Sequence, residues 1–124
     1  MTRELKPSSP LVSIIIRTKN EERWIDHCLS AIETQNITDY EIILVDNNSE
    51  DRSVKVARKY TKKIINVTEF YPGKAINEGI RASLGKYIAI ISGHCIPKNN
   101  VWLEKLIEPL KNDKSGLLAG VYGR

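Results

Sequence analysis

The sequence predicts an α/β domain with a doubly wound, mostly parallel sheet, and three observations predict it. Short apolar runs rich in β-branched residues recur along the chain, as strands buried on both faces require. Between them lie segments whose apolar residues follow helical spacing, and the alternation repeats at intervals of about 20 to 30 residues, the pattern of βαβ units joined by right-handed crossovers. Each run ends in a polar turn, and in such a sheet ligands bind beyond the carboxyl ends of the strands, where the strand order reverses.

The first run, Leu11 to Ile16, is a buried strand. Glu22 to Glu33 carries Trp24, Ile25, Cys28, Leu29 and Ile32 at helical spacing, with Asn20 placed to cap the start. Trp24, like Trp102 later, reads as a core anchor, and His27 as a surface or packing residue. Glu41 to Val45 is a second strand ending on Asp46, followed by the turn Asn47, Asn48, Ser49. Ser49 is a candidate cap for the next helix, in which Val54, Ala57 and Tyr60 face inward and Asp51 is a helix-start charge.

Lys63 to Val67 is a third, weaker strand. After Pro72 and Gly73, the stripe Ala75, Ile76, Gly79, Ile80 and Ser83 predicts a helix that Gly85 closes. Tyr87 to Ile91 is the fourth strand. Val101, Trp102, Leu103, Leu106, Ile107 and Leu110 give a further helix, ended or kinked near Pro109, and Leu117 to Tyr122 suits a last strand.

The length of 124 residues suits one domain, expected over residues 11–124 behind a flexible tail at 1–10. A composition of 41% hydrophobic and 27% charged residues excludes an intrinsically disordered chain. The net charge of +4 favours anionic partners without choosing among nucleotides, phosphates and acidic membranes. No dense basic run interleaved with aromatics and no zinc-finger spacing occurs, so nucleic acid is not the expected partner. Cys28 and Cys95 form no CxxC pair, which predicts reduced thiols and a cytoplasmic setting. The segment Met1 to Pro10 resembles neither a signal peptide nor a membrane span, so membrane attachment would come from segments outside this sequence.

The loops at 17–22, 46–51, 68–75 and 92–97 line the expected crevice. Four segments around them carry a specific ordered pattern: Val12 to Glu22 (VSIIIRTKNEE), Ile43 to Asp51 (ILVDNNSED), Gly73 to Ile80 (GKAINEGI) and Gly85 to Ile91 (GKYIAII). In this order they resemble family 2 glycosyltransferases, over nearly the whole chain. The resemblance implies the GT-A fold and inverting transfer of a sugar from a nucleoside diphosphate sugar to an acceptor hydroxyl, in the setting of polysaccharide biosynthesis. It implies that Arg17, Thr18 and Asn20 pass along the nucleoside, and that Asp46 accepts the N3 hydrogen of uracil or thymine, hence a UDP- or dTDP-sugar. The residues alone leave open that Asp46 caps the 47–51 turn. Lys74 and Asn77, at a helix start, are candidate pyrophosphate or ribose contacts.

One departure lies after the fourth strand. Family members place Asp-x-Asp there to hold Mg²⁺ or Mn²⁺ against the diphosphate, whereas this chain has Ser92, Gly93 and His94. Imidazole supplies no negative charge, which weakens binding of a hard ion such as Mg²⁺. Three readings of His94 follow: a single metal ligand, a metal-free diphosphate contact, or part of a site without turnover. Cys95 beside it falls short of a zinc site and reads as a small semi-buried thiol. The family's catalytic base lies beyond the position of Arg124, so no catalytic residue is expected in this chain, only the donor-binding half. The alternatives are a non-catalytic nucleotide-sugar-binding or regulatory module, and an unrelated doubly wound interaction domain.

Overall fold

The computed structural model describes residues 9–68, 71–115 and 120. In chain order they form β1 (Val12–Thr18), α1 (Ile25–Glu33), β2 (Tyr40–Asp46), α2 (Ser53–Ala57), β3 (Ile64–Asn66), α3 (Pro72–Ala82), β4 (Tyr87–Ser92) and α4 (Trp102–Lys111). The expected strand at Leu117 to Tyr122 and the expected tail up to Ser8 lie outside the described residues.

The strands make one four-stranded sheet in the order β3-β2-β1-β4, with every pairing parallel. β1 is central, and its register aligns Thr18 with Asp46 on one side and Arg17 with Ser92 on the other. Two successive crossovers add β2 and β3 in one direction, and the third carries the chain back past β1 to β4. A right-handed crossover in the reversed direction must run over the opposite face. Accordingly α3 covers one face alone, over Ile15, Ile43 and Val45, while α1, α2 and α4 cover the other, over Val12, Ile14, Ile16, Ile42 and Leu44.

The two strand runs richest in β-branched residues are the two interior strands, and Ile14, Ile15, Ile16, Ile43 and Leu44 are fully buried. β4 is an edge strand, so it departs from the buried-on-both-faces expectation: Ile90, on the α3 side, is 45% exposed because α3 packs over β1 and β2. Gly85 lets the α3–β4 connection lie against β1, since a Cβ there would sit 2.5 Å from the Ser13 amide nitrogen. The buried Ser13 hydroxyl is satisfied twice, accepting from the Gly85 amide at 2.8 Å and donating to Glu41. Glu41 also accepts from the Leu84 amide at 2.6 Å and from Lys63. One carboxylate therefore ties β1, β2, β3 and the α3–β4 corner together.

Several local expectations need correction. Trp24 is not a core anchor: it is 39% exposed, with the Arg23 guanidinium 4.8 Å above its ring, because helix α1 begins after it. Asn20 does not cap α1, since its side-chain oxygen accepts from the Glu50 amide instead. Ser49 does not cap α2, whose N-cap is Arg52 without a side-chain bond; Asp51, just before it, accepts from the Ser53 amide at 2.9 Å. Pro109 neither ends nor visibly breaks α4, which runs to Lys111. It stands in the last turn, where its missing N–H removes one helical bond. The start of α4 is held by a residue that sequence spacing does not flag: buried Gln35 accepts from the Leu103 amide at 3.0 Å and donates to the Asn99 carbonyl at 2.6 Å.

Candidate functional site

The reversal of strand order leaves a cleft at the carboxyl ends of β1 and β4, opposite the N-terminus of α3. Its volume is about 180 Å³. Arg17, Lys19 and His94 bring nitrogen donors to its wall, Ser92 brings a hydroxyl and Asn47 an amide, while Thr18 lines it with its own hydroxyl buried. Val45, Ala75 and Tyr71 supply the apolar side. His94 Nδ1 lies 2.9 Å from Glu21 Oε1, with the imidazole 58% and the carboxylate 20% exposed. A carboxylate on one ring nitrogen fixes the ring's orientation and leaves Nε2 for other contacts.

Gly93 allows this close approach of β4 to β1: a Cβ there would lie 3.1 Å from Thr18 Oγ1, and its amide donates to the Arg17 carbonyl at 2.8 Å. Thr18 Oγ1 is buried without a hydrogen-bond partner among the described residues. An unsatisfied buried hydroxyl costs about 1 to 3 kcal/mol.

The loops after β1 and β2 interlock. The Asn20 amide donates to Ser49 Oγ at 2.9 Å, the Glu50 amide returns a bond to Asn20 Oδ1 at 2.8 Å, and the Asn47 amide donates to the Thr18 carbonyl. Glu21 and Glu22 amides donate to Ser53 Oγ and Asp51 Oδ2. Asn20 and Asn48 both adopt φ of 50°, a left-handed conformation that asparagine tolerates better than most residues. The Glu21 that meets His94 is thus positioned from α2.

Not all the residues expected at the site line this cleft. Arg17, Thr18, Ser92 and His94 do. Asp46 is 3% exposed, and its two carboxylate oxygens accept from the Ser49 amide at 2.9 Å and the Ser49 hydroxyl at 2.6 Å. Its side chain therefore holds the turn, and the next residue, Asn47, faces the cleft. Side chains alternate along a strand, so the two neighbours address opposite faces. Asn20 spends its side chain on the loop interlock, and Lys74 and Asn77 are exposed on α3 outside the cleft lining. Cys95 is exposed, not semi-buried. Asn47, Lys19, Glu21 and Tyr71 are cleft residues that motif spacing did not single out; the period-two alternation after Val45 was the available signal for Asn47.

Among the described residues no group of three or more His, Cys, Asp or Glu side chains gathers, so they form no closed site for a divalent ion. Glu21 and His94, the donors in the cleft, are bonded to each other. Mg²⁺ is commonly held by one or two carboxylates with waters and substrate phosphates, so an ion here would depend on oxygens that the ligand brings.

A parallel sheet of this order with a cleft at its carboxyl edge defines a doubly wound α/β domain, and the solved structures it superposes on have the GT-A glycosyltransferase fold. Mannosyltransferase PcManGT from Pyrobaculum calidifontis, solved with GDP-Man and Mn²⁺, superposes with a TM-score of 0.77 at 21% identity, over 85% of this chain and 33% of that one. Staphylococcus aureus TarS 1-349 in complex with UDP-GlcNAc superposes at 0.70 with 23% identity, over 80% and 31%. Glycosyltransferase AglE of Haloferax volcanii is 31% identical over 119 residues, which is 90% of this chain and 39% of that protein. The profile of Glycosyl transferase family 2 matches residues 13–124, and the chain belongs to that family. It spans only 26% and 39% of the length of the first curated relatives it matches. Among the described residues, no helix is long and apolar enough to cross a membrane.

Proposed function

We propose that this chain forms the donor-binding part of a glycosyltransferase that moves a sugar from a nucleoside diphosphate sugar to an acceptor hydroxyl with inversion. The observation that carries the reading is the convergence of Arg17, Lys19 and His94 with the Ser92 hydroxyl in one cleft at the strand-order reversal, in a chain of this family. Those donors suit the diphosphate, whose departure is the part of the reaction this chain can assist, by stabilising negative charge as it develops. At about 180 Å³ the cleft takes a diphosphate or a base, and the rest of the donor extends over its open lip.

Of the three readings of His94, the bond to Glu21 favours the metal-free diphosphate contact: the carboxylate takes up Nδ1 and orients the ring with Nε2 left for the ligand. Asp46, by holding the 46–49 turn, presents Asn47 to the base. An amide both donates and accepts, so it suits the N3–H and the adjacent carbonyl of uracil or thymine, in line with a UDP- or dTDP-sugar. The proton-accepting base is assigned to protein outside these residues, as is any membrane attachment. Two free thiols agree with a cytoplasmic setting.

Titration calorimetry of the chain with UDP, dTDP and GDP, in EDTA and then in Mn²⁺, tests this. Binding of UDP or dTDP that Mn²⁺ leaves unchanged, and that His94→Ala weakens by about tenfold (about 1.4 kcal/mol), is the expected result. Affinity appearing only with Mn²⁺ would return His94 to the metal-ligand reading, and no binding of any nucleotide would end the proposal. The second reading, a binding module without turnover, is favoured by one observation: among the described residues no group of three or more His, Cys, Asp or Glu side chains gathers. Turnover by a longer chain carrying this domain would exclude it.

A further inference from the structure

A second cleft, of about 530 Å³, opens on the far side of the 46–49 turn, between α2 and β3. It shares no lining residue with the cleft at β1 and β4. Arg58 and Lys62 bring two positive charges to its wall, Asn48 and Asn66 bring amides, and Val54 and Ile64 form an apolar side. Among the described residues, neither Arg58 nor Lys62 forms an ion pair or a side-chain hydrogen bond.

Two neighbouring cations at this corner are matched by carboxylates, Lys63 by Glu41 and Arg52 by Glu22 at 3.9 Å, while Lys55 and Lys59, equally unmatched among the described residues, stand outside the cleft lining. The one carboxylate in the cleft wall, Asp46, is 3% exposed, accepts from Ser49 at both oxygens and pairs with neither cation. Nor are Arg58 and Lys62 needed to satisfy the end of α2. The backbone amides of Arg58, Lys59, Tyr60 and Thr61 already bond the carbonyls of Val54, Val56 and Ala57. A helix of five residues also has little dipole to complement. Two unmatched cations facing one space repel each other, and an anion between them turns that cost into attraction.

We propose that this cleft binds a phosphate monoester, presented either by a soluble metabolite or by a lipid headgroup. The Arg58 fork grips two phosphate oxygens, Lys62 adds a mobile point charge, and the amides complete the oxygen shell. The organic part of the ligand lies against Val54 and Ile64. This assignment is independent of nucleotide binding at His94, because the two clefts have no residue in common.

The test uses the full, ¹⁵N-labelled chain titrated with inorganic phosphate and with chloride at matched ionic strength, and co-sedimentation with phosphatidylcholine vesicles with and without phosphatidic acid. Phosphate should shift the resonances of Asn48, Arg58, Lys62 and Asn66 saturably, and the double variant R58A/K62A should weaken that response by about tenfold or more. The control variant K55A/K59A removes the same charge from exposed positions outside the cleft lining and should change it by less than about twofold. Saturable phosphate binding without sedimentation identifies a soluble ligand. Sedimentation that requires both phosphatidic acid and the Arg58 and Lys62 side chains identifies a headgroup. Phosphate acting no more than chloride, with no such sedimentation, overturns the proposal. Equal losses in the two double variants overturn it as well, by reducing the effect to diffuse charge.

Discussion

Glu41 shows how one side chain governs stability in this molecule. Burial opposes its ionisation, but the hydrogen bonds from Lys63, Ser13 and the Leu84 amide outweigh that and hold its carboxyl below the usual carboxylate range. The folded state then binds fewer protons than the unfolded one in acid. The stability it contributes is complete above the ordinary glutamate value of about 4.3 and drains away as pH falls through the lower folded value. Glu41→Gln should cost about 1 to 3 kcal/mol at neutral pH, and the variant's denaturation midpoint should fall less steeply in acid than the parent's. A variant with an unchanged midpoint at neutral pH would show that the three donors find other partners. Two further groups are pushed up to about 12: Cys28, by burial and then by nearby Cys95, and Tyr60, by its hydrogen bond to Asp26. The first keeps a core thiol inert, and the second ties α2 to α1 across the surface.

At the level of elements, Gly85 marks the tightest approach in the fold. Gly85→Ala would place a methyl 2.5 Å from the Ser13 nitrogen and 2.8 Å from the Val12 carbonyl carbon, both backbone atoms that cannot turn aside. The substitution should lower stability by about 2 kcal/mol or more, read as a shift in the urea midpoint. Gly73→Ala, with nothing within 4 Å, is the matched control and should shift it by less than half as much. The same elements show what the sequence could reveal. Among the described residues apolar runs located each strand, most sharply β1 and β2, where burial on both faces leaves no room for polar alternation, and helical stripes located each helix. Element ends were less visible. Trp24 continues the apolar stripe of α1 yet precedes its first turn, and Asn20 has the chemistry of a cap yet serves a different loop. Cleft membership was legible where a residue follows directly from a strand end, as for Arg17, Thr18, Ser92 and His94. It was not legible for Glu21, whose place depends on a bond arriving from α2, nor for Asp46, whose motif position conceals that its carboxylate turns inward.

For the molecule as a whole, the order β3-β2-β1-β4 concentrates protection in the middle of the sheet. Hydrogen exchange should be slowest at the amides of Ile14 to Ile16, which are covered on both faces and flanked by paired strands, and fastest among the strands in the three-residue β3. Uniform protection across the sheet would mean that it opens only as a unit. The loops at the carboxyl edge behave differently again, because those after β1 and β2 are stitched by reciprocal bonds from Asn20, Glu21 and Glu22 to Ser49, Glu50, Asp51 and Ser53. The second loop has bonds of its own, from Ser49 to Asp46 and from Ser53 to Asp51, yet each loop also leans on the other. Engineering of donor preference by transplanting a loop from a relative must therefore carry residues 17–22 and 46–53 as a pair, since a single graft would arrive without the partner that shapes it.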